Sequence, residues 1–498
     1  MTLNIEEMAV FCKKKGFAYP SSEIYGGLAG FFDFGPLGVE VNNNIKRTWW
    51  KQFVQDNENV VGIDGSIVSP FKVWKASGHV DSFADTFVEC KKCHSRQRAD
   101  HLLDEQHHLS IEGKTLEEIK TVIDDKGLKC PICEHKEFSS PTKFNLMFKT
   151  FVGPKEDQES IAFLRAETAQ IIFTCFKNVV DTSRVKLPFG IAQVGKAFRN
   201  EISPREFLFR VREFEQMEME FFVHPDKVNN CPLIEQFLEV KLNMYSAEQQ
   251  EKKQEHSTIT VADLLKKKIN HWQAYWLTQQ YLWFTSLGIS PEHLRVREHL
   301  PEELAHYAKA CFDLEFKFPF GWREIYGNAD RAQFDLTQHQ NHSKKSMEYF
   351  DEESGQKIIP QVASEPSQGV GRAFLAFMYE AYHDDKQRGN IVLKLHPKLA
   401  PYYCAVFPLA KNKPEIVAKA EEVYKLLKSA YTAMYDESGS VGRRYARADE
   451  IGIKYCMTID FDSLTDDCVT IRDRDTTKQE RVKISKLKER LFELYSEK

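Results

Sequence analysis

The stretch 193-QVGKAFRNEISPREFLFRVREFEQMEMEFF-222 decides the fold of this chain. Two strand-like arms flank a polar loop that carries Arg205, Arg210 and Arg212 and that Pro204 stiffens. Arginine stays charged and binds phosphate through paired hydrogen bonds, whereas carboxylates on the second arm suit an ammonium group. The pattern therefore suits a hairpin that binds a substrate with phosphates and an ammonium, although charge alone favours a surface role, since charge runs are usually solvated. The alternative is an edge hairpin with a solvated charged face.

The second arm can be read with the period of a strand, in which side chains alternate between two faces. One face carries Phe214, Gln216, Glu218, Glu220 and Phe222. The other face carries Glu213, Glu215, Met217, Met219 and Phe221. Both faces of the arm thus combine apolar and acidic side chains.

Length and composition indicate an ordinary globular protein. The 498 residues predict two or three domains, and 42% hydrophobic with 28% charged residues is typical of such proteins. A net charge of −5 provides no overall basic field, so a nucleic-acid partner would need local basic patches. The sequence has no apolar run of membrane-spanning length and no secretory signal at residues 1–7, which predicts a cytoplasmic protein without membrane contact.

Two CxxC knuckles predict a structural zinc site. Cys90, Cys93, Cys130 and Cys133 have the spacing that lets four thiolates close a tetrahedron around Zn²⁺, with no ligand position left open for chemistry. The alternative is four unligated thiols. The other seven of the eleven cysteines are scattered, which argues against a disulfide framework and for a reducing compartment.

Three further segments carry recognisable patterns. Residues 41–55 predict a helix, and residues 60–69 predict a strand that Pro70 closes. The segment 164-LRAETAQ-170 places Glu167 beside a predicted helix N-terminus, where a carboxylate is favourable in any case. The segment 358-IIPQVASEPSQGVGR-372 predicts a strand, a turn and a helix reaching about residue 382, with glycines that allow close backbone approach to a nucleotide. The helix has an apolar stripe at Val370, Phe374, Phe377, Met378 and Ala381.

Beyond the linker at residues 396–401, strands and helices alternate. Predicted strands at 403–409, 453–459 and 468–472 are separated by predicted helices at 414–434 and 440–449, and Ser485 is a predicted N-cap of a final helix. This order implies a small α/β domain with a mixed sheet. The local basic patch 442-GRRYARAD-449 is either solvated surface or an RNA contact.

Taken together, these stretches resemble the class II aminoacyl-tRNA synthetases. Residues 41–70 are similar to motif 1, the opening hairpin to motif 2, and 365-EPSQGVGR-372 to motif 3; the wording FRNEISPR and REFEQME is closest to the glycyl-tRNA synthetase family. The resemblance implies an α+β fold with an antiparallel sheet flanked by helices, a zinc-knuckle insertion, a helical insertion and a C-terminal α/β anticodon-binding domain. It predicts a catalytic core in three parts, at 1–88, 144–224 and 319–390. Between these parts lie the zinc insertion at 89–143 and the helical insertion at 225–318, and the anticodon-binding domain follows at 391–498. The predicted helices of the helical insertion are at 233–250, 261–268 and 271–287.

The same resemblance implies the residues of the site. Arg199, Glu201 and Arg372 are the expected catalytic residues, with Arg199 at the ATP α-phosphate and Arg372 against the γ-phosphate. The expected ATP contacts are Arg199, Asn200, Glu201, Phe209, Arg210, Val211, Arg212, Glu213, Phe214, Glu324, Ile325, Gly369, Val370, Gly371 and Arg372. The expected glycine contacts are Arg98, Glu167, Phe214, Glu215, Gln216, Met217, Glu218, Arg331, Glu365, Pro366, Ser367, Gln368 and Gly369.

The implied reaction activates glycine with ATP and transfers it to tRNA(Gly), in a homodimer, with Mg²⁺ accompanying ATP and Zn²⁺ as a structural ion. Two other functions remain open from the residues. One is a synthetase of the same class for another small amino acid, although the AETAQ and EPSQG stretches offer no obvious partner for a side chain. The other is a non-catalytic tRNA-binding relative, which need not keep Arg199, Glu201 and Arg372. Whether residues 225–318 contact tRNA or serve as structural cover is also open.

Overall fold

A nine-stranded, mostly antiparallel sheet forms the centre of the molecule. The computed structural model describes residues 3–107, 109, 111, 114–305 and 307–496. The strands of the large sheet are, in spatial order, Ser257–Thr260, Lys241–Tyr245, Leu294–Glu298, Ala310–Phe318, Gly321–Asp330, Gln361–Gly369, Glu213–Val223, Phe189–Phe198 and Val60–Ile63. Neighbours pair antiparallel except Lys241–Tyr245 with Leu294–Glu298 and Phe189–Phe198 with Val60–Ile63. The predicted antiparallel sheet is therefore present.

The opening stretch forms the predicted hairpin within this sheet. Strands Phe189–Phe198 and Glu213–Val223 pair antiparallel from Phe189 with Phe222 to Phe198 with Glu213. On the second strand, Met217, Met219 and Phe221 face a core in which Phe221 packs against Trp272 and Trp276. On the opposite face, Phe222 packs against Phe173 and Phe176 in a second core. The period-two prediction for this strand is confirmed, and each face has its own surroundings.

Helices cover both faces of the sheet. Pro36–Trp50, His271–Ser286 and Val370–Ala381 share the first core, whereas Ala169–Ser183 and Phe334–Ser343 lie at the second. The predicted stripe of the helix Val370–Ala381 is fully buried, as expected. The remaining helices before the C-terminal region are Ile5–Lys15, Phe71–Ala76, His79–Ser82, Ala99–His107, Leu116–Lys126, Ala247–Glu251 and Val261–Leu264.

Two predictions around residues 36–70 need correction. The helix begins at Pro36, five residues earlier than predicted from Val41, because Gly35 takes an extended N-cap conformation and proline is favourable in the first turn; a π-helical turn at Lys51–Gln55 continues it. The predicted strand 60–69 is two strands, Val60–Ile63 in the large sheet and Val68–Pro70 in a small one.

The segment 225–318 is not mainly helical, contrary to the prediction. Only His271–Ser286 of its predicted helices is long; the predicted helix 233–250 is instead a 3₁₀ turn, the strand Lys241–Tyr245 and the short helix Ala247–Glu251. Four strands of this segment extend the large sheet. The alternation in KLNMY permits either structure, and pairing with the strands Ser257–Thr260 and Leu294–Glu298 makes it a strand that buries Leu242 and Met244 on one face.

The C-terminal region has the predicted mixed α/β architecture. Its sheet contains, in spatial order, Ala433–Tyr435, Cys404–Pro408, Tyr455–Ile459, Cys468–Asp473 and Gln479–Lys483, with parallel pairing around Cys404–Pro408 and antiparallel pairing beyond Tyr455–Ile459. The helices are Pro414–Lys428, Val441–Glu450, Ser463–Asp466 and Leu487–Ser496. The predicted helix 414–434 ends at Lys428, and the last helix follows a 3₁₀ turn, so Ser485 is not its N-cap.

Small sheets complete the structure. One has the order Arg96–Arg98, Ala84–Glu89 and Thr142–Asn145, and another Val68–Pro70, Ile161–Leu164 and Phe148–Phe151. Three two-stranded sheets pair Ala18–Pro20 with Phe32–Phe34, Tyr349–Asp351 with Gln356–Ile358, and Tyr382–Asp385 with Asn390–Leu393. Among the described residues, no helix has both the length and the apolar character that crossing a membrane requires.

Candidate active site

A cavity of about 370 Å³ opens where the hairpin meets the strand Gln361–Gly369 and the helix that follows it. The structure brings thirteen of the predicted site residues to its wall: Arg98, Arg199, Glu201, Phe209, Arg210, Val211, Phe214, Gln216, Glu324, Ser367, Gly369, Gly371 and Arg372. The wall also includes Phe83, Asp85, Leu146, Leu208 and Gly327, which the sequence did not single out. Residues far apart in the chain therefore share one cleft, as the motifs predicted.

Arginines line one end of this cavity, and aromatic rings hold them. The guanidinium carbon of Arg199 lies 5.5 Å from the ring centre of Phe83 and 5.4 Å from that of Phe214, while its Nε donates to the carbonyl of Ala166 at 3.0 Å. Rings on both sides restrict the guanidinium, because a cation over an aromatic face is attracted by its quadrupole. This leaves the terminal amino groups of Arg199 able to contact an anion in the cavity.

Arg372 is held in a similar way at the start of its helix. Its guanidinium carbon lies 4.6 Å from the ring centre of Phe209, and its Nη1 lies 3.0 Å from a carboxylate oxygen of Glu324. The Glu324 side chain is 45% exposed and faces the cavity. Desolvation opposes ionisation of Glu324, but the charge and hydrogen bond of Arg372, together with the charges of His299 and Arg199, lower its pKa.

A helix from the knuckle region holds the hairpin loop. Arg205 Nη1 lies 2.5 Å from Glu105 Oε1, and Arg205 and Arg210 each approach a ring nitrogen of His101 at 3.1 Å. Burial and the neighbouring arginines lower the pKa of His101 to about 3, against an opposing effect of Asp100, so the ring is neutral at pH 7. A neutral imidazole has one acceptor nitrogen and can accept from only one of the two arginines.

Beyond the cavity wall formed by Gln216 and Ser367, buried carboxyl groups gather around one arginine. Arg331, with 1% of its side chain exposed, donates to both oxygens of Asp335 at 2.7 and 2.8 Å and to Glu365 at 2.7 Å. Its guanidinium carbon lies 3.9 Å from the ring centre of Tyr307. Arg331 is therefore committed to partners within the chain.

Two more carboxyl groups border this cluster. Glu167 lies 3.3 Å from His79 Nε2 and accepts from Gln170 at 3.0 Å; burial opposes its ionisation, but His79 and Arg331 outweigh burial and lower its pKa. Glu218 accepts from Ser367 Oγ at 2.6 Å and from Thr168 Oγ1. Ser367 lines the cavity and connects it to the carboxyl cluster through Glu218, whereas Glu167, Glu218, Arg331 and Glu365 themselves are not among the lining residues.

Other predicted site residues have side chains that do not line the cavity. Glu213, Glu215 and Met217 are on the opposite face of their strand, where Glu215 pairs with Lys46 at 2.9 Å and Met217 is fully buried. Arg212 donates to the carbonyls of Glu201 and Ala29 behind the loop. The side chains of Ile325, Val370 and Gln368 are buried. Asn200 and Pro366 are on the site segments without lining the cavity.

Arg98 reaches the cavity wall but is already paired there. It contacts Asp85 and Asp100 at 2.5 Å each. Asp85 carries a pKa raised to about 6, chiefly by burial and against the opposing charge of Arg98. Arg98 makes its contacts with Asp85 and Asp100 through Nη1, Nε and Nη2, so the expected contact with an amino acid would use the second N–H of a terminal nitrogen.

The four knuckle cysteines form one cluster. One sulfur atom from each of Cys90, Cys93, Cys130 and Cys133 lies within 4.8 Å of the others, and two of the sulfur–sulfur distances are 3.6 Å. Tetrahedral Zn–S bonds of about 2.3 Å place sulfurs roughly 3.8 Å apart, so this donor set fits a metal ion of that kind. The predicted metal ligands are thus brought together.

The sequence did not single out several residues that shape the site. His101, Phe83 and Asp335 have no motif of their own, and Gly327 sits in an ordinary strand. An added Cβ at Gly327 would lie 3.8 Å from Asp313 Oδ1 and 3.9 Å from Glu324 Oε1, so this glycine leaves a gap between two carboxylates. The three acids of the segment 99-ADHLLDE-105, which are Asp100, Asp104 and Glu105, were the available signal for a helix facing the arginines.

Comparisons with known proteins agree with this geometry. Residues 403–494 match the family described as "Anticodon binding domain". Glycine–tRNA ligases from Acetivibrio thermocellus and Ruminiclostridium cellulolyticum are each 46% identical over 491 residues, covering 97% of this chain and 96% of theirs. The one from Caldanaerobacter subterraneus is 46% identical over 498 residues, covering 99% and 98%.

The fold, the cavity and these similarities are those of an aminoacyl-tRNA synthetase. Within that class, the chain belongs to the glycine–tRNA ligase family.

Proposed function

We propose that this chain is a glycine–tRNA ligase that works in two steps within the cavity described above. The carboxylate of glycine attacks the α-phosphorus of ATP, and the α–β phosphoanhydride bond breaks to release pyrophosphate. A terminal ribose hydroxyl of tRNA then attacks the glycyl carbonyl and releases AMP. The observation that carries this proposal is a cavity lined by arginines (the arginine end of the site) that is joined, through Ser367, to a buried carboxyl cluster (the carboxyl end).

The arginine end is the proposed ATP site. Arg199 would contact the α-phosphate and the glycine carboxylate, and Arg372 the γ-phosphate, while Phe209 or Phe214 offers a ring for adenine. The nucleophilic carboxylate is ionised at pH 7 and needs no base, so these residues act by positioning and by stabilising charge in the transition state. Glu324 faces the phosphate position and would hold Mg²⁺, which supplies charge neutralisation for ATP.

The carboxyl end is the proposed glycine site. Glu167, Glu218 and Glu365 lie where they can receive an ammonium group, with Ser367 at the entrance. Ammonium and carboxylate are common to all amino acids, so selection of glycine depends on excluding a side chain. An added methyl in a rigid pocket costs about 1–3 kcal/mol and can also block the approach to ATP.

The knuckle cysteines are proposed to bind one structural Zn²⁺. Closing the tetrahedron would stabilise residues 89–143, whose own core consists of a few aliphatic side chains. Total metal analysis of protein purified in reducing buffer without chelator should yield one zinc per chain, and absence of zinc would reject the assignment.

The domain plan and the assembly are also proposals. Residues 391–498 would contact the tRNA anticodon, and the motif 1 segment 41–70, whose helix begins at Pro36, would form the contact of a homodimer. We still propose residues 225–318 as an insertion between motifs 2 and 3, now with strands that widen the sheet. Sedimentation at micromolar concentration should give a dimer; a fully active monomer would contradict this part.

ATP–pyrophosphate exchange with a panel of amino acids tests the function. Exchange should occur with glycine and be weaker by at least about a hundredfold with alanine or serine. Equal rates for alanine and glycine at subsaturating concentration would reject glycine as the substrate while leaving the synthetase class in place. No exchange with any amino acid, from protein that is folded by circular dichroism, would support a non-catalytic tRNA-binding protein instead.

A further inference from the structure

Glu220 is a buried acid that the proposed reaction leaves unused. It lies two residues beyond Glu218 on the same face of the strand Glu213–Val223, and it is fully buried. Neither of its carboxyl oxygens has a hydrogen-bond partner among the described residues. One oxygen each from Glu218, Glu220 and Glu365 lies within 4.8 Å of the others. An ionised carboxylate without partners in such a place would be very costly.

The charges around Glu220 do not provide for its ionisation. The facing groups are Glu218 on its own strand, Glu365 on the neighbouring strand, and Arg331 and Asp335 beyond them; Glu167 faces Glu218 and Glu365. Arg331 carries the positive charge among these groups, but it donates its hydrogen bonds to Asp335 and Glu365 and not to Glu220. His79 pairs with Glu167. The other carboxyl groups therefore each have a donor, and Glu220 has none.

Burial, followed by the negative charge of Glu365, raises the pKa of Glu220 well above its usual value. Burial likewise raises the pKa of Glu365 and of Glu218. Groups this close exchange protons as a unit, so their raised pKa values favour retention of protons by the cluster as a whole.

We infer that Glu220 carries a proton in the glycine-free protein, and that the ammonium group of bound glycine displaces one proton from this cluster to solvent. This inference rests on the proposed glycine site. The incoming ammonium brings a positive charge and three donors next to Glu218 and Glu365, so the cluster no longer needs the proton to balance their charges. Glu220 is thus a positioning residue that sets the charge beneath glycine without touching it.

Linkage sets the direction of the effect. Because glycine binding releases a proton, glycine should bind more tightly as pH rises, by about tenfold per pH unit while the cluster stays protonated. Glycine keeps its own ammonium charged over this range, so the slope reports the protein. The raised pKa of Glu220 has the opposite effect on the folding stability of the glycine-free protein. Its contribution to stability is fully present below the ordinary carboxyl pKa and is lost as pH rises through the raised pKa.

Titration calorimetry with glycine in buffers of different ionisation enthalpy, at about pH 7, tests this inference. Wild-type protein should release about one proton per glycine, whereas Glu220→Gln should release close to none and show a flat affinity against pH. Glu315→Gln is the matched control, because Glu315 is another buried acid of the same sheet, outside the proposed site, and it pairs with Arg295. It should behave as wild type.

Two outcomes would overturn the inference: no proton release from wild-type protein that binds glycine, or undiminished release from Glu220→Gln. If that variant does not fold, difference infrared spectra of wild-type protein take its place. The C=O stretch of a protonated carboxylic acid should weaken on addition of glycine, and an unchanged band would count against the idea. Pyrophosphate exchange on the same preparation separates this result from failure of the proposed function, since exchange with glycine can proceed without any proton release.

Discussion

The arginine-lined cavity and the carboxyl cluster beyond Ser367, the arginine end and the carboxyl end of the site, differ in how far the protein satisfies its own charges. At the carboxyl end, Arg331 is buried and makes three hydrogen bonds to Asp335 and Glu365. At the other end, Arg199 rests between Phe83 and Phe214 and makes a hydrogen bond only through Nε among the described contacts. The first end is built before any substrate arrives, whereas the second needs an anion to complete it. Substitutions at the two ends should therefore have different consequences for stability and for activity.

The largest effect is expected for Arg331→Ala, which should reduce both stability and exchange. Removing it leaves Asp335 and Glu365 buried without their cation, and loss of one partner of a buried pair costs about 3–5 kcal/mol. Urea unfolding measures the change. The control is Arg323→Ala at an exposed site, which should stay within about 0.5 kcal/mol of wild type. If Arg331→Ala had the same free energy of unfolding as wild type, the carboxyl cluster would not be a preorganised part of the folded protein.

Arg199→Ala should reduce activity with little change in the fold. Loss of a group that stabilises transition-state charge costs about 2.7–4 kcal/mol, a hundredfold or more in the exchange rate. Exchange kinetics and urea unfolding on the same sample distinguish the two quantities. An exchange rate equal to that of wild type would mean that the role of Arg199 has been misassigned. A large loss of stability would mean that Arg199, like Arg331, is needed for the fold.

A smaller effect is expected at the entrance to the carboxyl cluster. Ser367→Ala removes a donor to Glu218, and hydrogen bonds to charged groups contribute about 1.5–3 kcal/mol, so the KM for glycine should rise roughly tenfold or more. Glu167→Gln should raise it further because a charge is lost. Steady-state exchange at saturating ATP provides both values; a rise in the KM for ATP alone would contradict the assignment of this end to glycine.

The smallest effect links the knuckles to the arginine end. Removal of zinc with a chelator should release the helix Ala99–His107 and with it the contacts of Arg205 to Glu105 and His101. These exposed and half-buried contacts contribute about 1–2 kcal/mol together, so ATP binding should weaken roughly five- to thirtyfold while glycine binding is nearly unchanged. Zinc content and ATP affinity are measured on the same sample. Equal weakening for both ligands would indicate general unfolding instead.

The local pattern of the sequence determined much of this protein. Alternation predicted the strand Glu213–Val223 and its two faces, the CxxC spacing predicted the cysteine cluster, and the EPSQGVGR segment predicted a strand and helix that now carry Ser367 and Arg372. These features depend on residues close together in the chain, where side-chain period and turn chemistry act directly.

Only the tertiary structure decided which distant groups share a site. Glu167, Glu218, Arg331 and Glu365 come from separate segments, and strand pairing brings them together through Gln216 with Gly369 and Ala329 with Glu365. The same holds for Lys241–Tyr245, which became a strand because the large sheet offered it a partner, and for Glu220, whose burial without a partner no local pattern reveals. Pairing across a sheet and exclusion of water are non-local, so the spacing of residues along the chain cannot specify them.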